Sequence, residues 1–222
     1  LIARLVTVSF AVTTVYFIYL IGKTLFSEKT GLISALLLSI AFLHVRDSHF
    51  AVPDITMVGL ITFGFYYVTR LTVDVSIKNV LLSGLFIGLA CATKYTAFFL
   101  VSVLLLFLFL TKSKYPTKKN HMIPILLASI SLGIGFLMGC PYALLDFHAF
   151  YYDIHQLSFF GQSGWFGINT HQNGFLFYLD CLRWGLGWPL LILSLSSVIY
   201  LLYNDYSKGI LLAGFPVIYF IY

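Results

Sequence analysis

Two stretches of the chain concentrate side chains able to do chemistry. The first, residues 44 to 54, reads His-Val-Arg-Asp-Ser-His-Phe-Ala-Val-Pro-Asp, and six of its eleven residues are polar or ionisable. It sits between two apolar runs, where such groups are costly unless they face a wet cavity and have partners. His49 and Asp54 can share a divalent cation, because imidazole and carboxylate together suit Mg, Mn or Zn. Asp54 also follows Pro53 and precedes Ile-Thr-Met-Val, the place of a carboxylate that caps a helix start, and both roles can hold at once. His44 and His49 read equally well as hydrogen-bonded histidines of an interfacial loop. Arg46 lies beside Asp47 and has an ion-pair partner there.

The second stretch, residues 141 to 184, contains or borders Trp165, Trp184 and Trp188 and is rich in Phe and Tyr, the composition of a segment lying at a membrane interface. Residues 146 to 160 read as an amphipathic helix. Asp146-x-His148 and Asp153-x-His155 repeat at a spacing of seven. That spacing sets the two acids near one face and the two imidazoles near another, which suits a metal or simply a wet helix face. Residues 161 to 174 mix Gly161, Gly164, Gly167 and Gly174 with Gln162, Asn169, His171 and Asn173, a loop able to hydrogen-bond hydroxyl-rich ligands. Lys94 stands apart between two apolar segments. A lone ammonium there either snorkels to lipid headgroups or meets a specific phosphate.

The elements that must carry these residues are membrane helices. Hydrophobic residues make up 60% of the 222 and charged ones 9%, with 13 basic and 8 acidic side chains, and the mean hydropathy is +0.95. Too little charge is present to cover a water-exposed surface, which excludes a soluble or disordered chain. Charged residues divide the sequence into apolar segments at about 5 to 22, 31 to 45, 55 to 69, 79 to 93, 95 to 111, 122 to 140, 185 to 203 and 209 to 222. The expected fold is an all-α polytopic transmembrane bundle of about eight segments, one core over 1 to 222, with residues 141 to 184 as an interfacial helix and loop on its outer face. Gly-x-x-x-Gly occurs at Gly84 to Gly88 and Gly135 to Gly139, and permits close helix packing. Cys91, Cys140 and Cys181 lack C-x-x-C spacing and read as buried free thiols.

Alternating the sides puts Lys23, Lys29, Arg70, Lys78, Lys112, Lys114, Lys118, Lys119 and Lys208 on one face, against Arg4, Arg46, Lys94 and Arg183 on the other. Nine against four makes the first face cytoplasmic. The basic run at 112 to 119 then has its explanation in topology and anionic lipid, and nucleic acid is not an expected partner. Asp47, Asp54, Asp146, Asp153 and Asp180, with five of the six histidines, fall on the opposite face, so any chemistry belongs there.

Taken in order, an Arg-led span, the loop at 44 to 54, Gly-Leu-Ala-Cys-Ala-Thr-Lys-Tyr-Thr and Pro-Tyr-Ala-Leu-Leu-Asp-Phe resemble the protein O-mannosyltransferase-like family of C-fold glycosyltransferases. The aminoarabinose transferases of lipid A belong to the same superfamily. The resemblance covers nearly the whole chain. It implies inverting transfer of a sugar from a polyprenyl-phosphate or dolichyl-phosphate carrier to a protein, lipid or glycan acceptor on the outer or lumenal side. The membrane would be a bacterial or archaeal plasma membrane, or the endoplasmic reticulum. Asp54 matches the acidic position of the family's second outer loop, and with His49 is the expected catalytic and metal-binding pair. Lys94, Arg183 and Arg46 are the expected contacts of the donor phosphate. The family's principal catalytic carboxylate would lie before Leu1, so residues 1 to 222 alone are expected to be inactive. The competing reading is a secondary transporter of a small polar or anionic solute, but transporters more often place acids and broken helices near the midplane, whereas these charges sit at loop ends. A membrane scaffold without catalysis would not need so many ionisable groups on one face.

Overall fold

The computed structural model describes residues 2–110, 122–163 and 174–221. All regular structure among them is helical: α1 (Ile2–Leu25), α2 (Glu28–Ser39), α3 (Phe42–Ser48), α4 (Pro53–Arg70), α5 (Ile77–Thr93), a 3₁₀ turn (Tyr95–Phe98), α6 (Phe99–Leu110), α7 (Met122–Gly139), α8 (Tyr142–Leu145), α9 (Phe147–Ser163), α10 (Gly174–Asn204) and α11 (Tyr206–Ile221). The basic run at 112 to 119, Trp165 and most of the glycine-rich stretch lie outside the described residues.

Local chemistry sets the boundaries. Ser27 accepts the Thr30 N–H at 3.2 Å to start α2, and Ser76 accepts from Asn79 at 3.4 Å to start α5. Such hydroxyls satisfy donors that a helix N-terminus leaves unpaired. Pro53 opens α4 at its first helical position, where its fixed φ fits and its missing N–H is not needed. The carboxylate of Asp146 accepts the Ala149 N–H at 3.0 Å and starts α9. Inside α10, Gly187 has φ 74° and ψ 159°, a region open essentially to glycine alone, and Pro189 follows two residues later. The backbone therefore breaks direction there, and α10 is two helical arms rather than one rod.

Packing centres on α5, which lies against α4 and α7, while α1 lies against α2 and α4. Both Gly-x-x-x-Gly pairs fall in the α5 and α7 contact. A Cβ at Gly84 or Gly88 would collide with the carbonyls of Ala128 or Leu132, and one at Gly135 with the carbonyl of Leu85. Ser131 of α7 also donates across to the carbonyl of Leu81. Small residues let the two backbones meet, which is how apolar helices gain contact energy where lipid removes the hydrophobic drive between them. On the α4 side, Phe17, Phe63 and Phe86 form a ring contact series at 4.4 and 5.6 Å above fully buried Ile87 and Val68. Elsewhere the surface is apolar: Leu32, Leu36, Met138, Leu193 and Tyr200 are all more than half exposed, as lipid-facing side chains are.

Three of the described helices, Ile2–Leu25, Met122–Gly139 and Phe175–Asn204, are long and apolar enough to cross a membrane, or four if α2 and α3, bent by 60°, form one broken span. The expected count of about eight is not confirmed. The runs at 79 to 93 and 95 to 111 correspond to the shorter apolar helices Ile77–Thr93 and Tyr95–Phe109, whereas the bend of the chain at Ile40 leaves no hydropathic sign.

The polar groups divide between two ends. At one end Lys23 pairs with Glu28 at 3.5 Å, and Lys208 lies 5.3 Å over the ring of Phe26 while pairing with Asp205 at 2.9 Å. The other end carries the loop at 49 to 52, the start of α4, the α5 terminus and the 3₁₀ turn.

Candidate functional site

At that second end, Lys94 Nζ donates to Asp54 Oδ1 at 2.6 Å, and the two side chains are 44% and 45% exposed. The contact joins residues forty positions apart because α4 and α5 are neighbours running in opposite directions. Asp54 is the second residue of α4, and Lys94 directly follows Thr93, the last residue of α5. Each charge therefore also complements a helix dipole, the carboxylate at an N-terminus and the ammonium at a C-terminus. Lys94 adopts extended backbone, φ −156° and ψ 126°, between α5 and the 3₁₀ turn, and is fixed by its own N–H to Ala90 O and by Ala97 N–H to its carbonyl, both at 3.0 Å. Thr96 Oγ1 reaches Met57 Sδ at 3.5 Å and ties that turn to the first part of α4.

The expectation that Asp54 caps α4 is corrected. The cap residue is Val52, which makes no side-chain bond, and the Asp54 carboxylate goes to Lys94 instead. Pro53 makes the shift legible afterwards: proline prefers the first helical position, so the residue after it lies inside the helix.

The other expected residues have separate partners. His49 Nδ1 lies 2.7 Å from Val45 O. A carbonyl can only accept, so Nδ1 carries the proton, and the neutral tautomer with that proton has its lone pair on Nε2. Arg46 binds Asp47 at 2.7 Å and lies 5.9 Å from the Phe42 ring centre. Arg183 binds Asp180 at 2.9 Å and sits 5.4 and 5.9 Å from the rings of Trp184 and Trp188, beside the break in α10. A Cβ at neighbouring Gly185 would strike Leu43, so this arm of α10 lies on α3. His44 Nε2 reaches Ala11 O at 3.3 Å and ties α3 to α1. Among the described residues no three His, Cys, Asp or Glu side chains converge as a metal would need, and Asp54 and His49 make no bond to each other. The Asp-x-His repeat of α9 gathers no such cluster either.

Residues 1–138 match the family described as dolichyl-phosphate-mannose-protein mannosyltransferase. The chain belongs to this family. The match takes in α1 to α6 and nearly all of α7, hence both partners of the Asp54 and Lys94 contact. No curated protein and no solved structure matches the chain. A mannosyltransferase-family chain built from apolar helices is an integral membrane glycosyltransferase of that type.

In this mannosyltransferase-family chain the site has borders that the sequence did not announce. Tyr219 of α11 packs edge-on against Phe99, 5.8 Å between ring centres, directly after the 3₁₀ turn that Lys94 begins. Its ring also meets Tyr178 of α10 at 5.6 Å. Tyr95 meets Phe150 of α9 at 6.4 Å, which brings α9 to the same end. One signal was available: α11 begins beside the Lys23 end at Lys208, so a helix of sixteen residues must return its far end, with Tyr219, to the level of Asp54.

Proposed function

We propose that the Asp54 and Lys94 end of the bundle is the donor side of a transferase that takes a sugar from a dolichyl-phosphate or polyprenyl-phosphate carrier and gives it to a protein, lipid or glycan acceptor at the outer or lumenal face. The single observation that carries this reading is the half-exposed ion pair at 2.6 Å, held by two packed helix termini at the edge of an apolar bundle. A carrier must keep its tail in lipid while its phosphate and sugar reach water, so its reactive end belongs at such an edge.

The geometry supports a role for each group. Lys94 has three N–H donors and Asp54 takes one, which leaves two for a phosphate. As the acceptor hydroxyl attacks the anomeric carbon, the bond from that carbon to the phosphate oxygen breaks and its electron pair stays on the phosphate. The charge that develops there is met by an ammonium already fixed in place, which costs no reorganisation during the reaction. Asp54 orients Lys94 and brings a carboxylate near the reacting sugar. The Nε2 lone pair of His49 is the nearest imidazole base in sequence to that carboxylate and can take the acceptor proton. Arg183, stacked beside two indoles, and Arg46 are reserve cations for the carrier headgroup. The nine-to-four basic bias supports assigning this end to the outer side.

The test is Lys94→Met in the full-length protein, which keeps the stem and removes the charge. A charge-assisted hydrogen bond is worth about 1.5 to 3 kcal/mol. Affinity for bare polyprenyl phosphate should fall about ten- to a hundredfold, with expression and detergent stability kept. Unchanged affinity would return Lys94 to a purely structural ion pair.

A further inference from the structure

We propose that Tyr178 and Tyr219 form the sugar-recognition wall of this site, positioning the pyranose ring of the donor rather than its phosphate or its lipid tail. The inference rests on the reading of Asp54 and Lys94 as the donor site.

Three observations place the pair. Tyr219 is held on several sides, by Phe99 at 5.8 Å, Phe215 at 6.0 Å and Tyr178 at 5.6 Å, and is only partly exposed. Phe99 follows directly on the 3₁₀ turn whose first flank is Lys94 and whose Thr96 touches Met57 of α4, so the Tyr219 ring lies at the same end of the bundle as the ion pair, one ring beyond that turn. The hydroxyls of Tyr178 and Tyr219 lie within hydrogen-bonding reach of each other, and the Asp54 carboxylate acts on Tyr219 more weakly. Tyr178 is 42% exposed. One ring is thus anchored and the other presented.

Tyrosines at helix ends commonly sit in the headgroup belt with their rings toward lipid. Tyr219 is placed differently, since its ring is packed among three others and its hydroxyl has the Tyr178 hydroxyl within reach. The chemistry of the border selects its ligand. A phosphate has its donors on Lys94 and gains nothing from the face of a phenol ring, and a polyprenyl tail has no use for hydroxyls or a carboxylate. A pyranose uses all three, laying its C–H face on an aromatic ring while its hydroxyls hydrogen-bond to phenols and carboxylate. Position agrees, because the sugar begins one bond from a phosphate oxygen and must lie next to whatever holds the phosphate.

The experiment compares Tyr219→Phe and Tyr178→Phe with the parent in the full-length protein in lipid nanodiscs. Three quantities are measured: transfer from dolichyl-phosphate mannose, preference for that donor over dolichyl-phosphate glucose, and affinity for bare dolichyl phosphate. Loss of one hydroxyl should lower kcat/KM about tenfold and narrow the sugar preference, while bare dolichyl phosphate binds as before. Unchanged transfer and preference in both variants would overturn the proposal, as would an equal loss of affinity for the bare phosphate. Both substitutions keep the ring, so packing is preserved, and Tyr178→Phe alters a half-open side chain if Tyr219→Phe fails to fold. Failure of the underlying reading shows elsewhere, as unchanged binding of bare dolichyl phosphate in Lys94→Met.

Discussion

Asp54 separates structural from chemical roles most cleanly. Its partner is an ammonium in a pair nearly half exposed on both sides, and exposed pairs contribute about 0 to 1 kcal/mol. Its place in the first turn of α4 adds a favourable charge to the helix dipole, of similar small size. Asp54→Asn should therefore shift thermal stability by no more than about 1 kcal/mol. Transfer activity should fall at least about a hundredfold, because an amide neither orients Lys94 by charge nor places a carboxylate by the sugar. Initial rates beside a melting curve decide it, and near-normal turnover would leave Asp54 with only the ion pair. Both members of this pair stood out in the sequence as ionisable groups at the ends of apolar runs. Their contact did not, since nothing in a sequence gives the pairing of two positions forty apart until α4 and α5 are known to be neighbours. Tyr219 was harder still: within the apolar run 215 to 222 an aromatic residue looks the same whether it faces lipid or lines a site.

Among the elements, α5 and α7 make the contact that sequence pattern reached only halfway. Gly-x-x-x-Gly on each helix permitted close approach, but two such motifs do not state that they face each other. The structure offers an internal control. A side chain at Gly88 would strike the backbone of Leu132 and Phe136, whereas a Cβ at Gly133 meets nothing within 4 Å. Gly88→Val should cost about 1 to 3 kcal/mol through overpacking, lower the melting temperature and reduce binding at Lys94, which rides on the same helix. Gly133→Val should leave stability within about 0.5 kcal/mol. Equal effects at the two positions would mean that α5 and α7 do not meet in this register. The apolar runs themselves located α1, α4, α5 and α7 well. The number of crossings they suggest, about eight, is not confirmed, and neither the bend after α2 nor the break at Gly187 is visible along the sequence.

At the scale of the whole molecule the two polar ends must face opposite compartments. After replacement of Cys91, Cys140 and Cys181, a cysteine at exposed Lys78 should react with a membrane-impermeant maleimide only once the membrane is opened. A cysteine at exposed His155 on α9 should react in intact cells or sealed right-side-out vesicles. The reverse pattern would move the donor side to the cytoplasm. The paired helices at the middle of the molecule also carry a dimension. At about 1.5 Å per residue, the 17 residues of α5 make a rod of about 26 Å, shorter than a hydrocarbon core of about 30 Å. Interlocked glycine faces hold α5 in register with α7, and a bilayer that thins to match α5 does so at a modest cost for each ångström. A bilayer thinned there brings its headgroups down toward Lys94. Lipid chain length thereby becomes a variable that reaches this end of the molecule from outside the protein.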